Sequence, residues 1–271
     1  MRGPKLIVFD LDGTLLTDTG QLSPKIKEFL HEIQGKLTIT LATGRSLASA
    51  KRYIQELSIA FPVILFHGAI IWDPVTNRTL REKRIPLDVA AYSLQVLSTY
   101  PLEAQVYLST DEPVVHVQRM TPAIMGFLTK EGLRAEEVGD LAQAISQPPL
   151  KILAIGNRST LRAIVEDLRD RLSQVAVTQS EQSYLELLPW GVSKGEALSW
   201  LCRKTGLQPE SVVAVGDQMS DLSMIEWAGF GVAMRHAPDE LRCRARAVIQ
   251  TIAELRELLP TELLHRHRGD T

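Results

Sequence analysis

Leu6-Ile7-Val8-Phe9-Asp10-Leu11-Asp12-Gly13-Thr14 is the stretch on which the fold of this 271-residue chain turns. Four apolar residues read as a buried strand, and an acid ends the run abruptly. Residues two apart on a strand face the same way, so Asp10 and Asp12 project together where the strand stops. Gly13 permits a tight turn, and Thr14 offers a hydroxyl and a backbone donor for an anion. Two adjacent carboxylates repel each other unless one is protonated or a cation lies between them. In open parallel sheets, ligands gather at the carboxyl ends of strands. An acidic pair delivered to such an edge is therefore a candidate site, provided the sheet is parallel.

The rhythm on either side of the insert-like middle makes it so. Ser23-Pro24 supplies an N-cap and a first-turn proline for a helix carrying Ile26, Phe29, Leu30 and Ile33. Residues 37–42 read as a second strand, 46–57 as a helix and 62–66 as a third strand. This alternation implies a parallel sheet covered by helices on both faces. After Phe66 the pattern changes: 68–72 and 79–81, separated by Asp73-Pro74 and Asn77, read as a hairpin. The following region mixes helices with strand-like segments at 105–108, 114–117, 150–155 and 174–178. Within it Leu161, Ile164, Val165, Leu168 and Leu172 recur at helical spacing. It reads as an α+β domain inserted into the first, with hinges at 82–86 and 188–191. The opening alternation then resumes, with a helix at 194–205 stopped by Gly206, strands at 212–215, 230–234 and 247–249, and helices at 220–228, 238–245 and 252–259. The expected division is 1–81 with 189–271 for the sheet domain and 82–188 for the insert.

Composition narrows the class without naming an activity. Lys and Arg total 30 against 32 Asp and Glu, a formal net charge of −2, so nothing draws nucleic acid or an acidic membrane globally. Any anion must be held by local positive groups. Cys202 and Cys243 are too few for a disulfide framework and neither belongs to a CxxC pair, which points to a reducing, cytoplasmic setting. The Leu6–Phe9 run is too short for a secretory signal, and no run of apolar residues is long enough to span a bilayer. The His265-Arg266-His267-Arg268 tail reads as a solvated terminus.

Three further motifs fall at strand ends or helix starts outside the insert. Thr40-Leu41-Ala42-Thr43-Gly44-Arg45 ends the second strand with a hydroxyl, a glycine and a helix start, where unpaired N–H groups favour an anion. Val192-Ser193-Lys194-Gly195 brings a lysine back from the insert, able to offset carboxylates or bridge a phosphate and an acid. Val212-Val213-Ala214-Val215-Gly216-Asp217-Gln218-Met219-Ser220-Asp221 ends another apolar strand in an acid, with a second acid four residues on. Asp217 sits where it would join Asp10 on a hard divalent cation, which takes oxygen ligands. Acids for a metal, together with a hydroxyl and a lysine for an anion, describe a phosphate and magnesium site.

These four motifs, in this order, resemble those of the haloacid-dehalogenase superfamily of phosphohydrolases. The pre-lysine stretch 185–195 and the closing stretch 216–237 resemble its Cof-type branch. The resemblance implies a Rossmann-like core with a large α/β cap inserted between the second and third motifs, and Mg2+-dependent hydrolysis of small phosphorylated metabolites such as sugar phosphates. It implies that Asp10 is the nucleophile forming an aspartyl-phosphate, and that Asp12 protonates the leaving oxygen and then deprotonates the attacking water, with a pKa near working pH. Thr43, Gly44, Lys194 and Ser220 would hold the phosphoryl group. Asp10, the Asp12 carbonyl and Asp217 would bind Mg2+, with Asp221 orienting a metal-bound water or Lys194. The expected partner is a small phosphorylated metabolite, with no nucleic acid or membrane, and the chain a monomer or small homo-oligomer.

Two positions depart from the branch. Ser220 stands where Asn is usual, and His67-Gly68 stands where Asn-Gly is common, His67 reading as a turn residue. In the insert, polar residues such as His116, Arg119 and Tyr184 are candidates to reach the cleft, with a surface position the default reading for each. Two other functions share these residue types. A phosphotransferase or phosphomutase would return the phosphoryl to a sugar. A phospho-aspartate receiver module would keep it, with little use for Asp12 or an insert.

Overall fold

The structure is a computed structural model and describes residues 4–17, 19–169, 174–181 and 183–260. The chain opens with β1 Leu6–Phe9, α1 Pro24–Gln34, β2 Thr38–Leu41, α2 Leu47–Glu56, β3 Val63–Leu65, β4 Ile70–Asp73 and β5 Arg78–Glu82. Next come α3 Leu87–Leu97, β6 Glu103–Tyr107, β7 Val114–Val117, α4 Pro122–Glu131, β8 Arg134–Glu137, α5 Leu141–Ala144, β9 Lys151–Ile155, α6 Arg158–Arg169, β10 Val175–Glu181 and β11 Tyr184–Pro189. It closes with α7 Lys194–Thr205, β12 Val212–Gly216, α8 Leu222–Trp227, β13 Phe230–Met234, α9 Asp239–Arg244, β14 Ala247–Ile249 and α10 Leu255–Leu258.

Among the described residues the strands form three sheets. The first is parallel, in the order β14-β13-β12-β1-β2, with β1 at its interior between Val212 and Thr38. All four residues of β1 are buried, as a central parallel strand covered on both faces requires. Alternation decides what each one meets. Ile7 and Phe9 pack with Phe29, Leu30 and Ile33 of α1, while Leu6 and Val8 pack with Ala197, Leu198 and Leu201 of α7. Ser23 caps α1 by accepting from the Ile26 N–H at 3.3 Å. Ser193 caps α7 from Glu196 at 3.1 Å, and Gly206 closes that helix at φ +71.

One strand departs from the sequence reading, which places 62–66 in the parallel sheet. In the structure β3 pairs antiparallel with β4, and β4 with β5, in a separate three-stranded sheet. β3 runs parallel to the end of β2 through an Ala42–Ile64 bridge, with the Thr43 N–H donating to the Ile64 carbonyl at 2.9 Å and Thr40 Oγ1 to the Pro62 carbonyl at 2.6 Å. The reason is local: Phe66 and His67 take φ +48 and +53, which turns the chain back so that β4 claims the edge of β3.

The insert carries the six-stranded sheet β10-β11-β9-β6-β7-β8, antiparallel except for the β7–β8 pair. Ile152 and Ala154 of β9 and Leu185 and Leu187 of β11 pack into the insert's own core with Leu161 and Ile164 of α6. Leu153 and Leu188, on the opposite face of the same strands, belong to the apolar cluster of the parallel-sheet side. Strands β8 and β11 have no counterpart in the sequence reading; β8 is the polar run Arg134-Ala135-Glu136-Glu137, with no apolar alternation to mark it. Leu172 of the expected amphipathic helix and the 265–268 tail lie outside the described residues. Among the described residues, no helix is long and apolar enough to cross a membrane.

Candidate active site

Every strand end that bears a motif opens into one cavity of about 370 Å³. Its floor is the carboxyl edge of the parallel sheet, where Asp10 follows β1, Thr43 follows β2 and Asp217 follows β12. Lys194, the first residue of α7, enters from the side. Its ammonium lies 2.6 Å from Asp10 Oδ1 and 2.6 Å from Asp221 Oδ1. Asp10, Lys194, Asp217 and Asp221 are all buried. The second Asp221 oxygen accepts from the Asp217 N–H at 2.9 Å and the Gln218 N–H at 3.0 Å, which locks the turn carrying Asp217. Asp217 is held in turn by Thr14 Oγ1 at 3.0 Å and Gln218 Nε2 at 3.0 Å. Thr14 therefore braces a carboxylate. Gly13 is obligatory here: it sits at φ +83, and a Cβ would lie 2.3 Å from Asp217 Oδ2.

Oxygens of Asp10, Asp217 and Asp221 lie within 4.8 Å of one another. Three buried hard-oxygen donors so close suit a small divalent cation. Burial pushes the Asp10 carboxyl well above the usual range; Lys194 pulls it back, and the neighbouring acids push it up further. Asp217 is raised by burial and by Asp221. Burial works against the Lys194 ammonium, but Asp10 and Asp221 outweigh it and hold the lysine charged. One lysine for three acids leaves the cluster short of positive charge, the shortage a divalent cation would fill.

Asp12 is in the same cavity but turned to a different partner. Arg45 Nε and Nη2 each donate to one of its oxygens at 2.7 Å, and Arg45 Nη1 reaches Glu131 of α4 at 2.9 Å. Burial raises the Asp12 pKa, yet the Arg45 hydrogen bonds and charge bring it below the ordinary carboxylate value. The sequence expectation of a pKa near working pH is thus not met in this arrangement, because the bidentate guanidinium favours the charged form. Thr43 is buried, and its Oγ1 accepts the Arg45 N–H at 3.1 Å. Gly44 lies so close beneath His67 that a Cβ would sit 2.2 Å from the imidazole Nε2. Ser220 lines the wall in the turn Met219–Asp221.

The roof comes from the insert. Tyr107, Lys151, Leu153, Tyr184 and Glu186 all line the cavity, on the sheet face opposite the insert's own core. Glu186 is 2.7 Å from the Lys151 ammonium and 3.2 Å from His67 Nε2. Of the insert residues named from sequence, Tyr184 reaches the cavity. His116 pairs instead with Glu136 at 3.6 Å, and Arg119 lines a separate groove. Sequence reasoning passed over Arg45, Glu131, Lys151 and Glu186. A signal existed for the last two: each interrupts an apolar strand with a charge, and a charged side chain on a buried strand must meet a partner.

A family model described as haloacid dehalogenase-like hydrolase matches residues 7–255. The chain is 28% identical to the 5-amino-6-(5-phospho-D-ribitylamino)uracil phosphatase YwtE of Bacillus subtilis, over 91% of this chain and 93% of that one. It is 30% identical to an HMP-PP phosphatase of Enterobacter, over 88% of this chain and 86% of its relative. Among solved structures, a haloacid dehalogenase-like hydrolase from Bacteroides thetaiotaomicron matches with a TM-score of 0.83 at 27% identity, over 94% of this chain and 99% of that one.

Proposed function

The chain belongs to the haloacid dehalogenase-like hydrolases and is a phosphatase, and from that premise we propose a Mg2+-dependent phosphomonoesterase that acts through an aspartyl-phosphate on Asp10. The substrate we propose is a small phosphorylated metabolite bearing hydroxyls, a sugar phosphate in the first instance. The phospho-ribityl compound in one relative's name and the polar roof of Lys151 and Glu186 support that choice. In the division we propose, residues 1–81 and 189–271 form the catalytic core and 82–188 the cap that selects the substrate.

Asp10 carries the reading. It is a buried carboxylate at a central strand end, with a lysine on one oxygen and two more acids beside it. Lys194 holds Oδ1, which leaves Oδ2 clear of the ammonium to attack phosphorus while the bond to the leaving oxygen breaks. Asp12 would give that oxygen a proton and take one back from the water that hydrolyses the intermediate. Arg45 favours the base form of Asp12, the form the second step uses; the first step proceeds from the protonated form, which the proton taken from the attacking water restores at the end of each turnover. Lys194 and the Thr43 hydroxyl would hold the phosphoryl oxygens, with the Gly44 backbone and Ser220 beside them. Asp10 and Asp217, with the Asp12 carbonyl, would hold Mg2+; when bound it offsets the repulsion between an anionic nucleophile and an anionic ester. Asp221 keeps Lys194 and the Asp217 turn in place.

Release of inorganic phosphate from a panel of phosphorylated metabolites, with Mg2+ and with EDTA, tests the activity. Asp10→Asn is expected to abolish turnover, and Asp12→Asn to accumulate protein bearing one phosphoryl group, visible by intact mass. Full rate in Asp10→Asn would sink the mechanism. A phosphomutase would release little phosphate and require a bisphosphate activator.

A further inference from the structure

Lys151 of the insert donates across the cavity to the Gly44 carbonyl at 3.1 Å. It also pairs with Glu186 at 2.7 Å and lies over the rings of Tyr107 and Phe66, 4.8 and 5.7 Å from their centroids. Glu186 passes the link on to the His67 imidazole at 3.2 Å. His67 returns it to the starting loop: its backbone N–H donates to the Thr43 carbonyl at 2.9 Å, and its imidazole packs against Gly44, where a Cβ would lie 2.2 Å from Nε2. Lys151, Glu186 and His67 are all buried. The result is a closed circuit from loop to roof and back.

Its chemical consequence lies in one peptide plane. The Gly44 carbonyl and the Arg45 N–H belong to the same rigid unit, so anchoring one aims the other. Lys151 holds the carbonyl, and the N–H then meets Thr43 Oγ1 at 3.1 Å. With that oxygen fixed as an acceptor, the Thr43 O–H keeps its donor capacity for the phosphoryl oxygen that the proposed function assigns to it. We propose that Lys151, Glu186 and His67 are positioning residues through which the inserted sheet orients the Thr43 hydroxyl for the phosphoryl group. The proposal rests on the phosphatase function above and adds to it residues that touch neither the acid cluster nor Lys194.

The charge-balanced double variant Lys151→Met/Glu186→Gln breaks the circuit without stranding a buried charge. A small aryl phosphate serves as substrate, since its leaving group asks little of the roof, and inorganic phosphate serves as inhibitor. The expected result is a kcat lower by about tenfold to a hundredfold and phosphate inhibition weakened about tenfold, with the Mg2+ concentration for half activity unchanged. His67→Asn is expected to move both quantities the same way by a few-fold, and it decides the matter if the double variant does not fold. Kinetics and phosphate inhibition within twofold of wild type, or losses that merely follow a fall in Tm, would overturn the proposal. Asp10→Asn measured alongside keeps two failures apart. Turnover retained there removes the mechanism, whereas turnover lost there with an unaffected double variant removes only the circuit.

Discussion

Lys194 shows how much one residue can carry. Its ammonium is the counter-charge of two buried carboxylates at once, each 2.6 Å away, and it is almost fully shielded from water. Removing one partner of such a group leaves charge buried without compensation, at a cost of about 3–5 kcal/mol. Lys194→Met is therefore expected to lower Tm by roughly 10 °C and to abolish phosphate release. Added Mg2+ should recover part of the Tm, because a cation replaces some of the lost charge, but none of the turnover. Unchanged thermal stability would show that the acids are not coupled through this lysine. That Asp10 and Asp217 end buried strands was legible from residue type and position, whereas Lys194 stood out only in the company of the other three motifs. Arg45 did not, because a guanidinium beside a glycine gives no sign of which carboxylate it will meet.

At the scale of the element, β11 does two jobs by simple alternation. Leu185 and Leu187 fill the insert's core, while Glu186 faces the cavity between Lys151 and His67. Burial opposes the charged form of Glu186, but the Lys151 and His67 partners hold its carboxyl well below the usual carboxylate range. The folded pKa is thus below the unfolded value of about 4.3, so the unfolded chain binds more protons as pH falls. The stability this residue contributes is complete above about pH 4.3 and is lost as pH drops towards the folded value. The Tm difference between wild type and Glu186→Gln should accordingly be largest near neutral pH and shrink below about pH 4.3. A difference that grows in acid would contradict the assignment. The strand itself escaped sequence reasoning because Tyr184–Pro189 runs into the Pro189-Trp190-Gly191 turn and mixes one charge into an apolar run. β3 was read as a strand, but not its antiparallel pairing with β4, which follows from the left-handed backbone of Phe66 and His67, a feature no side-chain pattern announces.

For the whole molecule, the open question of charge has a local answer. A net charge of −2 says nothing of a site that gathers Asp10, Asp217 and Asp221 around a single lysine. Because burial raises Asp10 and Asp217, protons compete with a cation for those oxygens in mild acid. Mg2+ at about a hundred times its dissociation constant should stabilise the fold by about 2.7 kcal/mol near neutral pH. The gain should fall as pH is lowered and vanish with EDTA; thermal denaturation across pH measures it, and no shift at neutral pH would argue against a metal held there. The sequence by itself determined the parallel core, the insert, the acids at the strand ends and the lysine at a helix start. Those follow from periodicity and from the rule that strand ends face ligands, and both are local properties of the chain. Only the tertiary structure decided that Asp12 pairs with an Arg45 it shares with Glu131, and that Lys151 and Glu186 reach over to Gly44 and His67. Such pairings join residues far apart in the chain, and what selects them is the cost of burying a charge without a partner once two sheets face each other.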